Sequence, residues 1–296
     1  MIIRSIYTMT KEKNMIEVSN INKSFNEKKA VDNLSFRIEQ GSIFGLLGPN
    51  GAGKTTTFRM MTALLKQDSG NIFIDGKKID RDEDSIKKNF GVVSQHFSLQ
   101  SEMKVWEILE LHGMLHNLNK KKRENKIYDL LKFSDLYEDR DKLSKNLSGG
   151  MKRKLMLIRA VMHEPKILFL DEPTVGLDPV SRRDIWALLK ELKKKGLTVV
   201  FTTHYIEEAE KLCDEILLMY KGKKIKKGIP KDLIKKVGNY TVETYEKGKL
   251  QCYFFKAHKE SLDFAEKRQE VNIRKSNLED VFIKLTDVRV GDKNEI

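Results

Sequence analysis

The sequence predicts an α/β fold: a parallel core sheet, an antiparallel β subdomain, an α-helical subdomain, and a small α+β domain at the C-terminal end. Three observations predict it. Residues 42–47 form a compact apolar run that ends at Gly48 and gives way to a helical pattern over 54–65, the order strand, glycine-rich turn, helix. Residues 167–170 and 198–202 are short β-rich runs on either side of a helix at 181–195, and a crossover of that kind makes the two strands parallel. Residues 16–38 alternate apolar and polar side chains among turn formers, as short antiparallel strands do.

The remaining elements follow in order. Residues 1–14 read as an N-terminal extension, with Met15 as an alternative start. Ile72-Phe73-Ile74 before Asp75-Gly76 reads as a strand and tight turn that closes the antiparallel part. Residues 103–161 are mostly helical, with Val105, Ile108 and Leu109 at helical spacing and polar breaks at 117–122 and 139–146. After Tyr220 the character shifts: the lysine-rich stretch 221–228 reads as a junction, its lysines at 221–227 as a soluble hairpin rather than a surface for anionic lipid, and then come short strands at 240–245 and 251–255. Ser276-Asn277-Leu278-Glu279 resembles a capping box opening a last helix at 278–285.

Composition sets the limits. The 296 residues are 40% apolar, a globular balance that suits one large domain with a smaller companion. The longest stretch free of Asp, Glu, Lys and Arg is 40–53, which holds five glycines, whereas a membrane span needs about 20 apolar residues, so no span is expected. No secretory signal is evident, and two distant cysteines suggest a reducing, cytosolic compartment. The net charge of +13 is compatible with nucleic acid, an anionic membrane surface or an anionic ligand, and composition alone does not choose.

The motifs choose. Gly48-Pro49-Asn50-Gly51-Ala52-Gly53-Lys54-Thr55 fits G-x-x-x-x-G-K-[ST] between a strand and a helix, the context the motif requires. Glycines let backbone N–H groups wrap phosphates and the helix N-terminus adds positive potential; Lys54 reaches for the β- and γ-phosphates and Thr55 offers its hydroxyl to Mg²⁺, with Thr56 beside it. Ile167-Leu168-Phe169-Leu170-Asp171-Glu172 delivers two carboxylates at the carboxyl end of a buried strand, where ligands sit in parallel sheets. Alone that run is unremarkable; downstream of a phosphate loop, Asp171 suits the Mg²⁺ shell and Glu172 suits the attacking water. Leu147-Ser148-Gly149-Gly150-Met151 opens a helix with a hydroxyl and two glycines, a second anion-binding surface.

These motifs, taken in order, resemble the ATP-binding subunits of ABC transporters, a P-loop NTPase family. The resemblance covers about 15–225, with a helical subdomain at about 96–162 and an accessory domain at 226–296. It adds Gln95 in Val92-Val93-Ser94-Gln95, the loop Gly176-Leu177-Asp178-Pro179, His204 after Thr202-Thr203, and Phe25 where the family often stacks an aromatic ring on adenine. By resemblance ATP and Mg²⁺ are the cofactors. Two copies, or this chain and a paralogue, pair head to tail, each ATP lying between the phosphate loop of one subunit and Ser148, Gly149 and Gly150 of the other. Gln95 touches Mg²⁺ and the water, His204 contacts the γ-phosphate, and Asp178 couples the sites. A separate membrane permease docks near Gln95 and the helices after Met103, which places the chain in the cytoplasm at the inner face of the membrane; no nucleic acid is expected.

Two departures stand out: Met151 replaces the usual Gln, and Ser94 precedes Gln95 where Pro is frequent. Ser-Gly-Gly-Met is similar to the drug- and polysaccharide-exporter branch, and Asn277-Leu278-Glu279-Asp280-Val281-Phe282 is similar to the C-terminal domain of daunorubicin-resistance-type exporters. The alternatives are a soluble ABC ATPase acting on nucleic acid or ribosomes, and an importer ATPase. His112 and His116, four apart with no general base between them, read as surface or packing histidines, and the lysine runs at 120–123 and 193–195 as solvated faces.

Overall fold

The computed structural model describes residues 14–79, 84–246, 248–268 and 270–286. The chain divides into two compact units, one of residues up to Phe44 with Thr55–Thr202, the other of Gly45–Lys54 with the residues from Thr203 onward. In chain order the elements are β1 (Asn14–Phe25), β2 (Lys28–Glu39), β3 (Ile43–Leu47), α1 (Lys54–Met61), β4 (Ser69–Ile74), β5 (Lys77–Lys78), α2 (Asp84–Lys87), β6 (Phe90–Val93), α3 (Val105–Leu115), α4 (Lys120–Phe133), α5 (Gly149–Ala160), β7 (Ile167–Asp171), α6 (Pro179–Lys194) and β8 (Thr198–Thr203). There follow α7 (Ile206–Leu212), β9 (Glu215–Tyr220), β10 (Lys223–Gly228), α8 (Pro230–Val237), β11 (Tyr240–Glu246), β12 (Lys249–Phe255), α9 (His258–Ala265), β13 (Val271–Lys275) and α10 (Leu278–Thr286).

In the first unit β2, β1, β4 and β5 form an antiparallel sheet in that order. The two leading strands are long, 12 residues each, rather than short. Their continuity comes from bulges: the register slips between Val18 and Ile21, and Asn20 and Asn33 take φ of 51° and 48°, a left-handed backbone that a short amide side chain tolerates. The Asn20 side chain donates to that of Asn33 at 2.8 Å, which fixes the pair. Beyond this sheet, β6, β7 and β8 run parallel, Phe90 opposite Ile167 and Ile167 opposite Thr198. All five residues of β7 are buried, as a strand covered on both faces must be. Phe169 receives Phe58 and Phe90 edge-on at 6.0 and 5.3 Å.

The helical part is held by shape as much as by apolar contact. A Cβ on Gly113 of α3 would meet the Arg123 side chain at 2.7 Å, so the glycine lets α4 lie close, and Arg123 pairs with Glu110 at 2.7 Å. The first polar break is narrower than 117–122, because Asn119 caps α4 from Lys120 onward by accepting from the Lys122 amide at 2.9 Å; within the second, Ser144–Asn146 is a single 3₁₀ turn.

In the second unit the lysine-rich stretch is the turn and second strand of a hairpin, as its reading as a hairpin requires. β10 pairs with β9 from Lys223 opposite Tyr220 to Gly228 opposite Ile216, and Lys221 and Gly222, with φ of 47° and 77°, make the tight turn. Leu47, Ala209, Ile216, Leu218, Leu233, Leu278 and Val281 share one buried cluster, so α8 and α10 close over the residues that precede them. β12, β11 and β13 form a small antiparallel sheet with α9. The capping box of the last helix sits one residue later than expected: the Asn277 side chain accepts from the Glu279 and Asp280 amides at 2.9 and 3.2 Å, and Asp280 accepts from the Asn277 amide at 2.8 Å. Among the described residues no helix is long and apolar enough to cross a membrane.

Candidate functional site

In the second unit the loop after β3 is built for close backbone approach. Gly48 lies so near Met219 that a Cβ would sit 2.3 Å from its carbonyl oxygen, and Gly51 and Gly53 take φ of 77° and 95°. The Ala52 amide donates to the Pro49 carbonyl at 3.2 Å, and the Gly222 amide donates to the Ala52 carbonyl at 3.1 Å, so the β9–β10 turn braces the loop. Lys54 is buried, its Nζ donating to the carbonyls of Gly48 at 2.7 Å and Pro49 at 3.0 Å. The ammonium therefore already lies inside the loop. Asn50 and Gly51 are exposed, and Thr55 and Thr56, half-buried, continue the first turn of α1.

In the first unit Asp171 and Glu172 end β7, both 7% exposed. The Thr202 hydroxyl, on β8, donates to Asp171 Oδ1 at 2.5 Å and accepts from the Glu172 amide at 3.0 Å, while that amide also reaches the Thr202 carbonyl at 3.2 Å. Glu172 has φ of 50°, a left-handed backbone unusual for glutamate, of the kind that the surrounding structure must hold in place. Thr202 was no part of the sequence-derived site; its register opposite Asp171 is what assigns it.

Gln95 is exposed after β6, and a second residue absent from that site fixes its backbone. Arg153 of α5, only 1% exposed, donates to the carbonyls of Ser94 at 2.9 Å and Gln95 at 2.8 Å, and its guanidinium stands 5.1 Å from the Phe97 ring centre. Burial lowers the Arg153 pKa from its usual value. Ser148 caps the same helix, its Oγ accepting from the Met151 amide at 3.2 Å; Ser148 and Gly149 are exposed while Gly150 is buried, a Cβ there meeting Ser181 Oγ at 2.4 Å. Asp178, exposed, caps α6 by accepting from the amides of Val180 at 3.0 Å and Ser181 at 2.9 Å, and the Ser181 hydroxyl first, then these amides, lower its pKa. The structure thus ties the Gln95 backbone to α5, and Gly150 to the start of α6.

Phe25 is half-exposed at the end of β1, Lys23 Nζ 5.7 Å from its ring centre, so a ring face is available for stacking. His204, in the second unit, stands against Tyr205 with ring centres 4.2 Å apart. Chemically, the loop at 48–54 offers amides and an ammonium to an anion, and the oxygens of Thr55, Asp171 and Gln95 are the hard donors that suit Mg²⁺.

A family model described as ABC transporter matches residues 31–175. The chain is 36% identical over 302 residues to Nod factor export ATP-binding protein I of Paraburkholderia xenovorans (strain LB400), covering 94% of this chain and 98% of that protein. It is 38% identical over 228 residues to the linearmycin resistance ATP-binding protein LnrL of Bacillus subtilis (strain 168), covering 77% of this chain and 73% of the relative. Among solved structures, cbiO1 of Clostridium perfringens, part of the ABC transporter complex cbiONQ, matches with a TM-score of 0.69 at 30% identity, over 76% of this chain and 94% of that one. The ADP conformation of MJ1267, an ATP-binding cassette of an ABC transporter, matches with a TM-score of 0.69 at 29% identity, over 76% and 94%.

Proposed function

The chain belongs to the ATP-binding proteins of ABC transporters, ATPases that work with separate membrane components, and we propose that it powers an exporter of the ABC-2 type, for a drug, lipid or polysaccharide. The observation that carries the reading is the loop at 48–54 with the Lys54 ammonium already held among its carbonyls. On binding ATP, Lys54 exchanges those carbonyls for phosphate oxygens, and the loop amides take the rest of the charge. Thr55, Asp171 and Gln95 hold Mg²⁺, which neutralises charge on the transferred phosphoryl group when bound. Glu172 orients the attacking water and accepts its proton, His204 contacts the γ-phosphate, and Phe25 stacks on adenine.

Ser148 and Gly149, exposed at the N-terminus of α5, serve the nucleotide of a second copy or a paralogue, and Asp178 couples the two sites. ATP drives closure because it binds the closed dimer more tightly than the open one. The partner permease docks at the Gln95 loop and α3, which keeps the chain in the cytoplasm on the inner face of the membrane. The nucleic-acid alternative draws no support: between Lys54 and Ser148 the longest described helix is α4 at 14 residues, not a long coiled coil. Size-exclusion chromatography tests the pairing. Glu172→Gln with ATP should elute as a dimer, and elution as a monomer at saturating ATP refutes it.

A further inference from the structure

Apart from these residues, three imidazoles gather in the first unit. His112 and His116 stand one turn apart at the end of α3, and His163 lies between α5 and β7. One nitrogen from each ring lies within 4.8 Å of one nitrogen of each of the others. The His163 and His116 rings stack with centres 3.8 Å apart, and His112 stands 4.6 Å from His116 and 5.7 Å from His163. His163 Nε2 lies 2.9 Å from the Phe90 carbonyl oxygen, which can only accept, so Nε2 carries the proton and Nδ1 keeps its lone pair. That Nδ1 and His112 Nε2 are buried without a hydrogen-bond partner. Two orphaned buried nitrogens in one cluster need an explanation. A carbonyl that fixes the tautomer of a ring whose other nitrogen is left bare is the outer shell of a metal-ligating histidine.

We propose that His112, His116 and His163 form a site for a borderline transition ion, Zn²⁺, Co²⁺ or Ni²⁺, which ties the end of α3 to the segment between α5 and β7. The donors are neutral imidazoles without a carboxylate, a set that favours these ions over Mg²⁺. Three such ligands leave a fourth position for water. Tetrahedral coordination at about 2.0–2.1 Å sets ligand nitrogens roughly 3.4 Å apart, so the widest pair must close by about 1.4 Å from 4.8 Å. Side-chain rotation does this: His116 is the half-buried C-cap of α3, and turning its ring unstacks it from His163. Burial holds His112 at about 3 and His163 at about 4 and lowers His116 as well, so at neutral pH no proton has to leave before an ion enters. The opposing charge is Arg159, whose field reaches His112 and whose guanidinium is held by Ser98 at 2.6 and 3.0 Å.

The test is a Co²⁺ titration of the nucleotide-free full-length chain, read by visible d–d absorption, with Zn²⁺ as competitor. The wild type should develop the intense bands of tetrahedral Co²⁺ at one equivalent, and Zn²⁺ should abolish them. His116→Ala and His163→Ala should each weaken binding by about tenfold or more. His116→Ala changes only the half-buried C-cap at the end of α3, so it keeps the test decisive where His163→Ala disturbs folding, which circular dichroism reports. Absence of tetrahedral bands in the wild type overturns the proposal. So does equal affinity in the wild type and His116→Ala, which would put the ion elsewhere.

Discussion

Thr202→Val isolates how the two carboxylates at the end of β7 are held. The Thr202 side chain is wholly buried and its hydroxyl serves both neighbours, donating to Asp171 at 2.5 Å and accepting from the Glu172 amide at 3.0 Å. Valine keeps the shape and removes the hydroxyl, so little cavity cost arises. A hydrogen bond to a charged group contributes about 1.5–3 kcal/mol. The Glu172 amide retains the Thr202 carbonyl at 3.2 Å, so its share is small, roughly 0.5 kcal/mol or less. The expected loss is about 2–3 kcal/mol, roughly a 30- to 150-fold fall in the ratio of folded to unfolded chain. Urea denaturation followed by fluorescence reads it, and an ATPase assay alongside should show kcat falling more than KM rises, because Glu172 loses part of what fixes its backbone. Thr202→Ser should restore both. A valine variant as stable and as active as the wild type would refute the bridging role.

Other expectations follow from the same geometry. Lys54→Ala should lose most nucleotide affinity in a fluorescent-ATP binding assay, and unchanged affinity contradicts the phosphate-loop assignment. Phe25→Ala should weaken ATP binding by roughly 2- to 12-fold, the worth of one aromatic stacking contact at about 0.5–1.5 kcal/mol, whereas Phe25→Tyr should not; equal affinities for all three would remove Phe25 from the adenine site. His112 and His163 bind protons more weakly folded than unfolded, so their contribution is intact above the ordinary value of 6.5 and is lost as pH falls below it toward 4. Urea midpoints of the metal-free chain should decline across that window, and replacing both histidines by phenylalanine should flatten the decline; identical slopes would contradict the burial argument.

Residue identity spoke plainly wherever local chemistry is strict. The turn from Gly48 to Thr55 between β3 and α1 was legible because glycines at fixed spacing, followed by lysine and threonine, allow the close approach and the left-handed backbone found there. The strand ending at Asp171 was legible as a short apolar run, and its carboxylates gained meaning only because a glycine-rich loop and helix stand upstream. Contacts made across the fold were not. Arg153 looked like one basic residue among several, yet its guanidinium ends on the Gln95 backbone, 58 residues away. His112 and His116 read as packing or surface side chains, because nothing local announces that the third imidazole comes from beyond α5. Strand lengths failed for another reason: Asn20 and Asn33 look like turn formers, and their left-handed backbones make bulges inside β1 and β2 instead of ending them. The hairpin expected of the lysines at 221–227 forms despite their composition, because β propensity follows pairing with β9 more than residue type.

In the proposed mechanism the chain cleaves ATP through Glu172 once the loop at 48–55 has bound it. Single-turnover hydrolysis of radiolabelled ATP by Glu172→Gln, with ATP binding measured on the same preparation, tests it most directly. ATP binding should stay near that of the wild type while phosphate release falls about 100-fold or more, the range for losing a general base; release at the wild-type rate would take Glu172 out of the chemistry.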